Sequence, residues 1–137
     1  ADKELSGLKA EDLLSAYDMI VLPGGLPGAT NLRDDGRVIR LVQAFASDPE
    51  KYIAAICAAP IVFGKAGVVR GKRVTSYPGE DIKTQLAGAV YVDDETVVAD
   101  GHTVTSRGPA TALRFAYTLV NMLGMDSKAL EESMLFQ

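Results

Sequence analysis

The single thiol of the chain, Cys57, stands where a short apolar run gives way to a helical pattern, in Ala54-Ala55-Ile56-Cys57-Ala58-Ala59-Pro60. Small residues on both sides let the backbone bend sharply, as a nucleophile elbow requires. Such a turn carries the side chain out at the end of a sheet, and the following helix directs unpaired amide hydrogens at the sulfur. Both favour thiolate, since helix N-termini draw a cysteine below its free pKa of about 8.5. A thiolate can add to a carbonyl carbon or be oxidised by peroxide, so two chemistries follow from one group. Addition also needs donors for the developing oxyanion. The amide of Ala58 and that of Gly25, in Pro23-Gly24-Gly25, are the candidates if the two loops lie side by side. Free cysteine is also among the most buried residue types, and position alone leaves simple packing as an equal alternative.

Other ionisable groups carry less. Tyr77, in Thr75-Ser76-Tyr77-Pro78, can donate a hydrogen bond, but with a pKa of about 10 it is a poor general base at neutral pH. A strand-end aromatic that shapes a pocket is an equal reading of it. His102, the one histidine, sits in the turn Asp100-Gly101-His102 and reads as a surface residue. Glu80 and Asp81 precede a short helical pattern, where carboxylates usually cap. Arg107, between Ser106 and Gly108 at a strand end, is placed to hold an anion or a partner carboxylate, with structural ion pairing as the alternative.

The elements that must position these groups can be read from periodicity. Leu5, Leu8, Leu13 and Leu14 recur at helical spacing up to Tyr17. Met19 to Leu22 is a continuous apolar run, expected as a strand buried on both faces and stopped by Pro23-Gly24-Gly25. Leu26 to Asn31 reads as a loop, and Asp34 to Ala46 as a helix with Val38, Leu41, Val42 and Phe45 inward. Tyr52 to Ile56 is a second buried strand. Ala58 to Ala66 is helical, with Pro60 in the first turn where a missing amide hydrogen costs little. Arg73 to Tyr77, Val90 to Val92, Thr96 to Ala99 and Thr103 to Ser106 read as strands, and Asp81 to Leu86 as a helix. Pro109 to Leu123 is a helix expected to be apolar round most of its circumference, and Asp126 or Ser127 caps a last one reaching about Leu135. Helices alternating with short apolar strands predict an α/β fold: a mainly parallel sheet with helices on both faces. Ligands then belong at the carboxyl ends of the strands, where the Gly24-Gly25 loop and the turn at Cys57 both lie.

Composition narrows the partners. With 137 residues, 47% of them apolar, the chain can bury one core, and no repeat or linker divides it. A formal charge of −4 with no cluster of Lys and Arg argues against nucleic acid. No apolar run approaches the roughly 20 residues that span a bilayer, and ADKELSGLKAEDLL is too polar for a signal peptide. One cysteine forms no internal disulfide, and one cysteine with one histidine makes no structural zinc site, so no such metal is expected. The thiol points to a reducing, cytoplasmic setting.

LPGG at Leu22 to Gly25, GATNLRDD after it, AAICAAP at Ala54 to Pro60 and TSRGPAT at Thr105 to Thr111 stand in the order and rough spacing of the ThiJ/PfpI superfamily. The chain most resembles the branch around the Parkinson-disease protein deglycase, from Leu8 to Leu135. The resemblance implies a flavodoxin-like fold, a homodimer, and a nucleophilic or redox-sensing cysteine at Cys57. It also implies that the amides of Gly24, Gly25 and Ala58 line the site, and that Arg107, Gly108 and Pro109 lie near it or near the dimer contact.

Two departures accompany it. Members of that family begin with a strand, helix and strand that this chain does not match, and that unit carries a glutamate whose carboxyl group contacts the cysteine and helps to set thiolate and sulfinate stability. Residues 1–137 are therefore read as a single domain incomplete at its N-terminus, one fragment of a larger protein that is either cleaved, completed by a separate N-terminal chain, or truncated, and the edge of a buried strand is expected to be exposed unless something covers it. Tyr77 stands where some relatives have a histidine. Ala58 stands where the protease-like and amidotransferase-like branches place one, which argues against both.

The function expected from the resemblance is a cofactor-independent glyoxalase or deglycase acting on small aldehydes such as methylglyoxal through Cys57. The alternatives are a redox sensor or stress-protective chaperone that oxidises the same cysteine, and a domain whose thiol is inert.

Overall fold

The computed structural model describes residues 10–124. Its centre is β2 (Tyr52–Ile56), because both neighbours of this strand are parallel partners. On one side lies β1 (Met19–Leu22) and on the other β6 (Thr103–Ser106), which pairs antiparallel with β5 (Val97–Asp100). The order β1-β2-β6-β5 makes three of four strands parallel. Alternation along β2 sends Ile53 and Ala55 to one face and Ala54 and Ile56 to the other. The first face packs under α3 (Gly36–Ser47) and α4 (Pro60–Ala66), through Val42, Phe45, Val62 and Phe63; the second lies under α6 (Ala112–Met122), through Phe115 and Leu119. A sheet covered on both faces needs continuously apolar central strands, which is how β2 reads.

The strand expected to be buried on both faces at Met19 to Leu22 is an edge strand. Leu22 is buried but Val21 is 46% exposed, and no other described strand pairs with β1 on its far side. The expected loop at Leu26 to Asn31 is largely helix: α2 runs Gly28–Asp34, opened by the Ala29 amide on the Gly25 carbonyl at 2.9 Å and fixed by the complete burial of Ala29. The helix expected from Asp34 starts at Gly36, because Asp35 is its cap. The thiol-proximal helix likewise starts at Pro60, after Ala58 and Ala59 have made the turn. Only Arg73–Val74 of the expected Arg73 to Tyr77 strand pairs, as β3, with β4 (Val90–Tyr91) in a separate two-stranded sheet; α5 (Glu80–Thr84) lies between them in sequence. The C-terminal helix begins as a single 3₁₀ turn, Pro109–Thr111, and buries Phe115, Tyr117 and Leu119 while leaving Leu113, Ala116 and Leu123 exposed, so it is apolar on one side only. The early part of the first helix, which is described as α1 (Ala10–Ala16), and the last helix to Leu135 lie outside the described residues. No helix among the described residues is long and apolar enough to cross a membrane.

Asp35 shows how the break before α3 is held. Its carboxylate accepts from the Arg37 amide at 2.9 Å and from the Arg37 guanidinium at 3.1 and 2.8 Å. These bonds, the side-chain one first, lower its pKa from 3.8 to about 2. A lowered carboxylate pKa contributes stability above the unfolded value and loses it as pH falls toward about 2. Asp35→Ala is expected to lower the melting midpoint by about 4 °C at neutral pH. The gap to wild type should close on acidification from about pH 4 to about pH 2; thermal melts across that range check it, and a gap that does not close refutes the assignment.

Candidate functional site

Cys57 follows the last residue of β2 and adopts φ +65°, the one left-handed non-glycine backbone among the described residues. Such a conformation costs on the order of 1–3 kcal/mol and persists only where the surroundings impose it. Here two main-chain bonds do so. The Cys57 amide donates to the Ser106 carbonyl at 3.0 Å, continuing the β2–β6 register past Ile56, and the Cys57 carbonyl accepts from the Tyr77 amide at 2.8 Å. The chain then turns, with the Ala59 amide on the Ile56 carbonyl at 3.1 Å, and enters α4 at Pro60. This is elbow geometry, with a partly exposed thiol at the carboxyl end of a parallel strand.

The neighbouring strand end supplies the facing loop. A methyl group on Gly24 would lie 2.4 Å from Cys57 Cβ, 2.9 Å from the Ile56 carbonyl oxygen and 3.4 Å from Cys57 Sγ, so only a glycine lets the two loops approach this closely. Gly25 has φ +102°, which turns the chain away toward α2. No main-chain carbonyl among the described residues takes the amide of Gly25 or Ala58. A hollow of about 330 Å³ opens here, lined by Gly24, Gly25, Ile56, Cys57, Gly108, Pro109 and Ala112. Cys57 is the single ionisable side chain in that lining.

Of the residues singled out from sequence, Cys57, Gly24, Gly25, Gly108 and Pro109 thus share one hollow. Ala58 does not line it; its side chain is buried in the core beneath, and only its amide borders the turn. Tyr77 is half exposed and lines an adjoining hollow with Leu26, Pro78, Glu80 and Asp81, its ring beside Gly108. Arg107 lies behind the wall and bonds main-chain carbonyls of Ser76 and Asp93, neither an anion nor a carboxylate. His102 is exposed, stacked on Tyr52 at 4.2 Å with Nδ1 against the Lys51 carbonyl.

Sequence reasoning did not single out Ile56 or Ala112, which carry no reactive group, nor the polar frame behind Gly108. In that frame the buried Ser106 Oγ donates to the Thr96 carbonyl at 2.6 Å and meets Thr111 Oγ1 at 2.7 Å. Thr111 Oγ1 in turn bonds both the carbonyl and the amide of Gly108, at 2.8 and 3.1 Å, fixing the Gly108-Pro109 wall. Two hydroxyl residues flanking a Gly-Pro pair were the signal available for it.

Residues 2–122 match the model of the DJ-1/PfpI family. The chain is 46% identical over 116 residues to the Drosophila melanogaster protein dj-1beta, covering 84% of this chain and 60% of that protein. The crystal structure of that relative superposes with a TM-score of 0.84 at 40% identity, over 93% of this chain and 69% of the other. The Schizosaccharomyces pombe glutathione-independent glyoxalase DJ-1 is 31% identical over 119 residues, 87% of this chain and 61% of that protein. Its solved structure superposes at 0.85 with 29% identity, over 95% of this chain and 68% of that one. The structure of oxidised DJ-1 from Toxoplasma gondii superposes at 0.80 with 29% identity, over 93% of this chain and 69% of that one. The chain therefore spans about 60% of the length of these fly and yeast proteins. Sequence match and superposed flavodoxin-like architecture agree: the chain belongs to the DJ-1/PfpI family.

Proposed function

We propose that this chain carries the reacting cysteine of a cofactor-independent enzyme acting on small reactive carbonyls, of glyoxalase or deglycase type. The observation that carries the reading is the left-handed Cys57 at the mouth of a hollow whose other walls are glycine, proline and apolar side chains. The similarity to a yeast protein named as a glutathione-independent glyoxalase adds to it.

In this reading the Cys57 thiolate adds to the aldehyde carbon of methylglyoxal, and the oxygen that takes up the electron pair is held by the Gly25 and Ala58 amides. A proton then moves from the former aldehyde carbon to the neighbouring carbon through an enediol, leaving a thioester of the hydroxy acid. Water cleaves the thioester and returns the thiol, so the sum is aldehyde plus water to lactate, with no outside oxidant. The carboxyl group that the family resemblance sets against the sulfur is the proton carrier this scheme calls for. Gly24 and Pro109 shape the hollow, with Tyr77 at its margin. The working form is a homodimer in a reducing cytoplasm, without nucleic acid.

A second reading, oxidation of Cys57 either reversibly or to a stable sulfinate in a redox sensor or stress-protective chaperone, draws on the partial exposure of the thiol and on the relative solved in oxidised form. One experiment separates them. The protein is incubated with methylglyoxal and lactate is followed by NMR, with and without iodoacetamide, and the masses of its proteolytic peptides are recorded after peroxide. The expected result is lactate formation that disappears in proportion to Cys57 alkylation. No lactate, together with a mass gain of two oxygens at Cys57, transfers the assignment to the sensor. Neither lactate nor mass gain leaves an inert thiol.

A further inference from the structure

The guanidinium of Arg107 is committed to main chain. Nε donates to the Ser76 carbonyl at 3.0 Å and Nη1 to the Asp93 carbonyl. The Ser76 carbonyl and the Tyr77 amide are the two ends of one peptide group, and that amide is the donor on the Cys57 carbonyl at 2.8 Å. A charged donor at the oxygen end polarises the peptide and strengthens its N–H as a donor at the other end. The Tyr91 hydroxyl adds a longer contact to the same carbonyl at 3.4 Å and a shorter one to Ser76 Oγ at 2.9 Å. On its amide side Cys57 is held by the carbonyl of Ser106, the residue before Arg107. The bonds close a ring: Cys57 to Ser106, along the chain to Arg107, across to the Ser76–Tyr77 peptide, and back to Cys57.

We infer that Arg107 is a positioning residue for Cys57: by pinning the Ser76–Tyr77 peptide it holds the left-handed backbone that keeps the thiol at the hollow. The inference rests on the proposal that Cys57 is the reacting group, and it assigns Arg107 no contact with substrate. A left-handed cysteine is strained, so loosening one of its two main-chain bonds lets it relax and withdraws the sulfur from the Gly24-Gly25 loop. Lysine at this position brings one donor on a flexible stem and cannot bridge both carbonyls as a planar fork does.

The test compares wild type, Arg107→Met and Arg107→Lys in the full chain by two readouts: hydrogen exchange at the Tyr77 amide, and iodoacetamide alkylation of Cys57 across pH. In Arg107→Met the Tyr77 amide is expected to exchange about tenfold faster and Cys57 to alkylate about tenfold more slowly at neutral pH, while the Ala54 and Ala55 amides of β2 keep their protection. Arg107→Lys is expected to fall between. Tyr77 exchange and alkylation both within twofold of wild type in Arg107→Met overturn the inference, and so does faster exchange with unchanged alkylation, which makes Arg107 a strut only. Should Arg107→Met not fold, wild-type values of both readouts in Arg107→Lys overturn it equally. Neither readout requires turnover, so a protein that makes no lactate refutes the proposed enzyme while leaving this comparison decisive for Arg107.

Discussion

In a Gly24→Ala variant, lactate formation from methylglyoxal is expected to fall at least about a hundredfold, with the melting midpoint within a few degrees of wild type. The added methyl group has to find room 2.4 Å from Cys57 Cβ and 2.9 Å from the Ile56 carbonyl oxygen, distances that no carbon contact tolerates. Both neighbours belong to β2 and its elbow, which are anchored in the centre of the sheet, so it is the exposed Pro23-Gly24-Gly25 loop that yields. Moving that loop outward takes the Gly25 amide away from the proposed oxyanion position and widens the hollow on one side. Misplacement by about 1 Å is enough to cost about a hundredfold in rate, whereas displacing an exposed loop costs little core burial. Cys57→Ser sets the floor of the same assay, since serine at this position has no thiolate to offer. Gly24→Ala activity within about threefold of wild type would remove the facing loop from the mechanism. A large loss confined to KM would instead make the loop a substrate-binding wall.

The elbow was legible because everything that makes it is local. An apolar β-strand run, two alanines and a proline placed for the first turn of a helix dictate strand, turn and helix in that order. The sign of the Cys57 φ was not legible, because cysteine has no preference for the left-handed region; the Ser106 carbonyl and the Tyr77 amide impose it from distant parts of the chain. Arg107 shows the same limit from the other side. Its charge suggested an anion or a carboxylate, but its partners are main-chain carbonyls, which every residue carries and no sequence pattern marks. The helix α2 was missed for a third reason. Gly28, Thr30 and Asn31 are weak helix formers, and burial of Ala29 against the α4 side of the sheet outweighs their propensity. Exposure of Val21 depends on what packs over β1, which the strand's own residues do not encode.

Gly64→Ala is expected to be the most destabilising single methyl in the described structure, and it tests how α4 is seated behind the elbow. In an isolated helix the change stabilises by about 1 kcal/mol, because glycine loses more backbone freedom on folding. Here the methyl group would lie 2.1 Å from the Gln85 carbonyl oxygen and 3.2 Å from its carbonyl carbon, with Leu86 Cδ2 at 3.6 Å. The obstacle is backbone just past α5, so no rotamer change relieves it. Either α4 retreats from the segment after α5, uncovering Phe63 and Leu86, which are almost wholly buried, or that segment shifts and strains the Arg33 to Gln85 bond of 2.7 Å. Overpacking of this kind costs typically about 1–3 kcal/mol, and a clash with main chain belongs at the upper end, so the net loss should be about 2 kcal/mol after the propensity gain. Urea unfolding of wild type and variant reads it directly, as a lower midpoint with an unchanged slope. A stabilised Gly64→Ala would show that α4 and the Gln85 backbone separate without loss, and helix propensity would then be the dominant effect at this position.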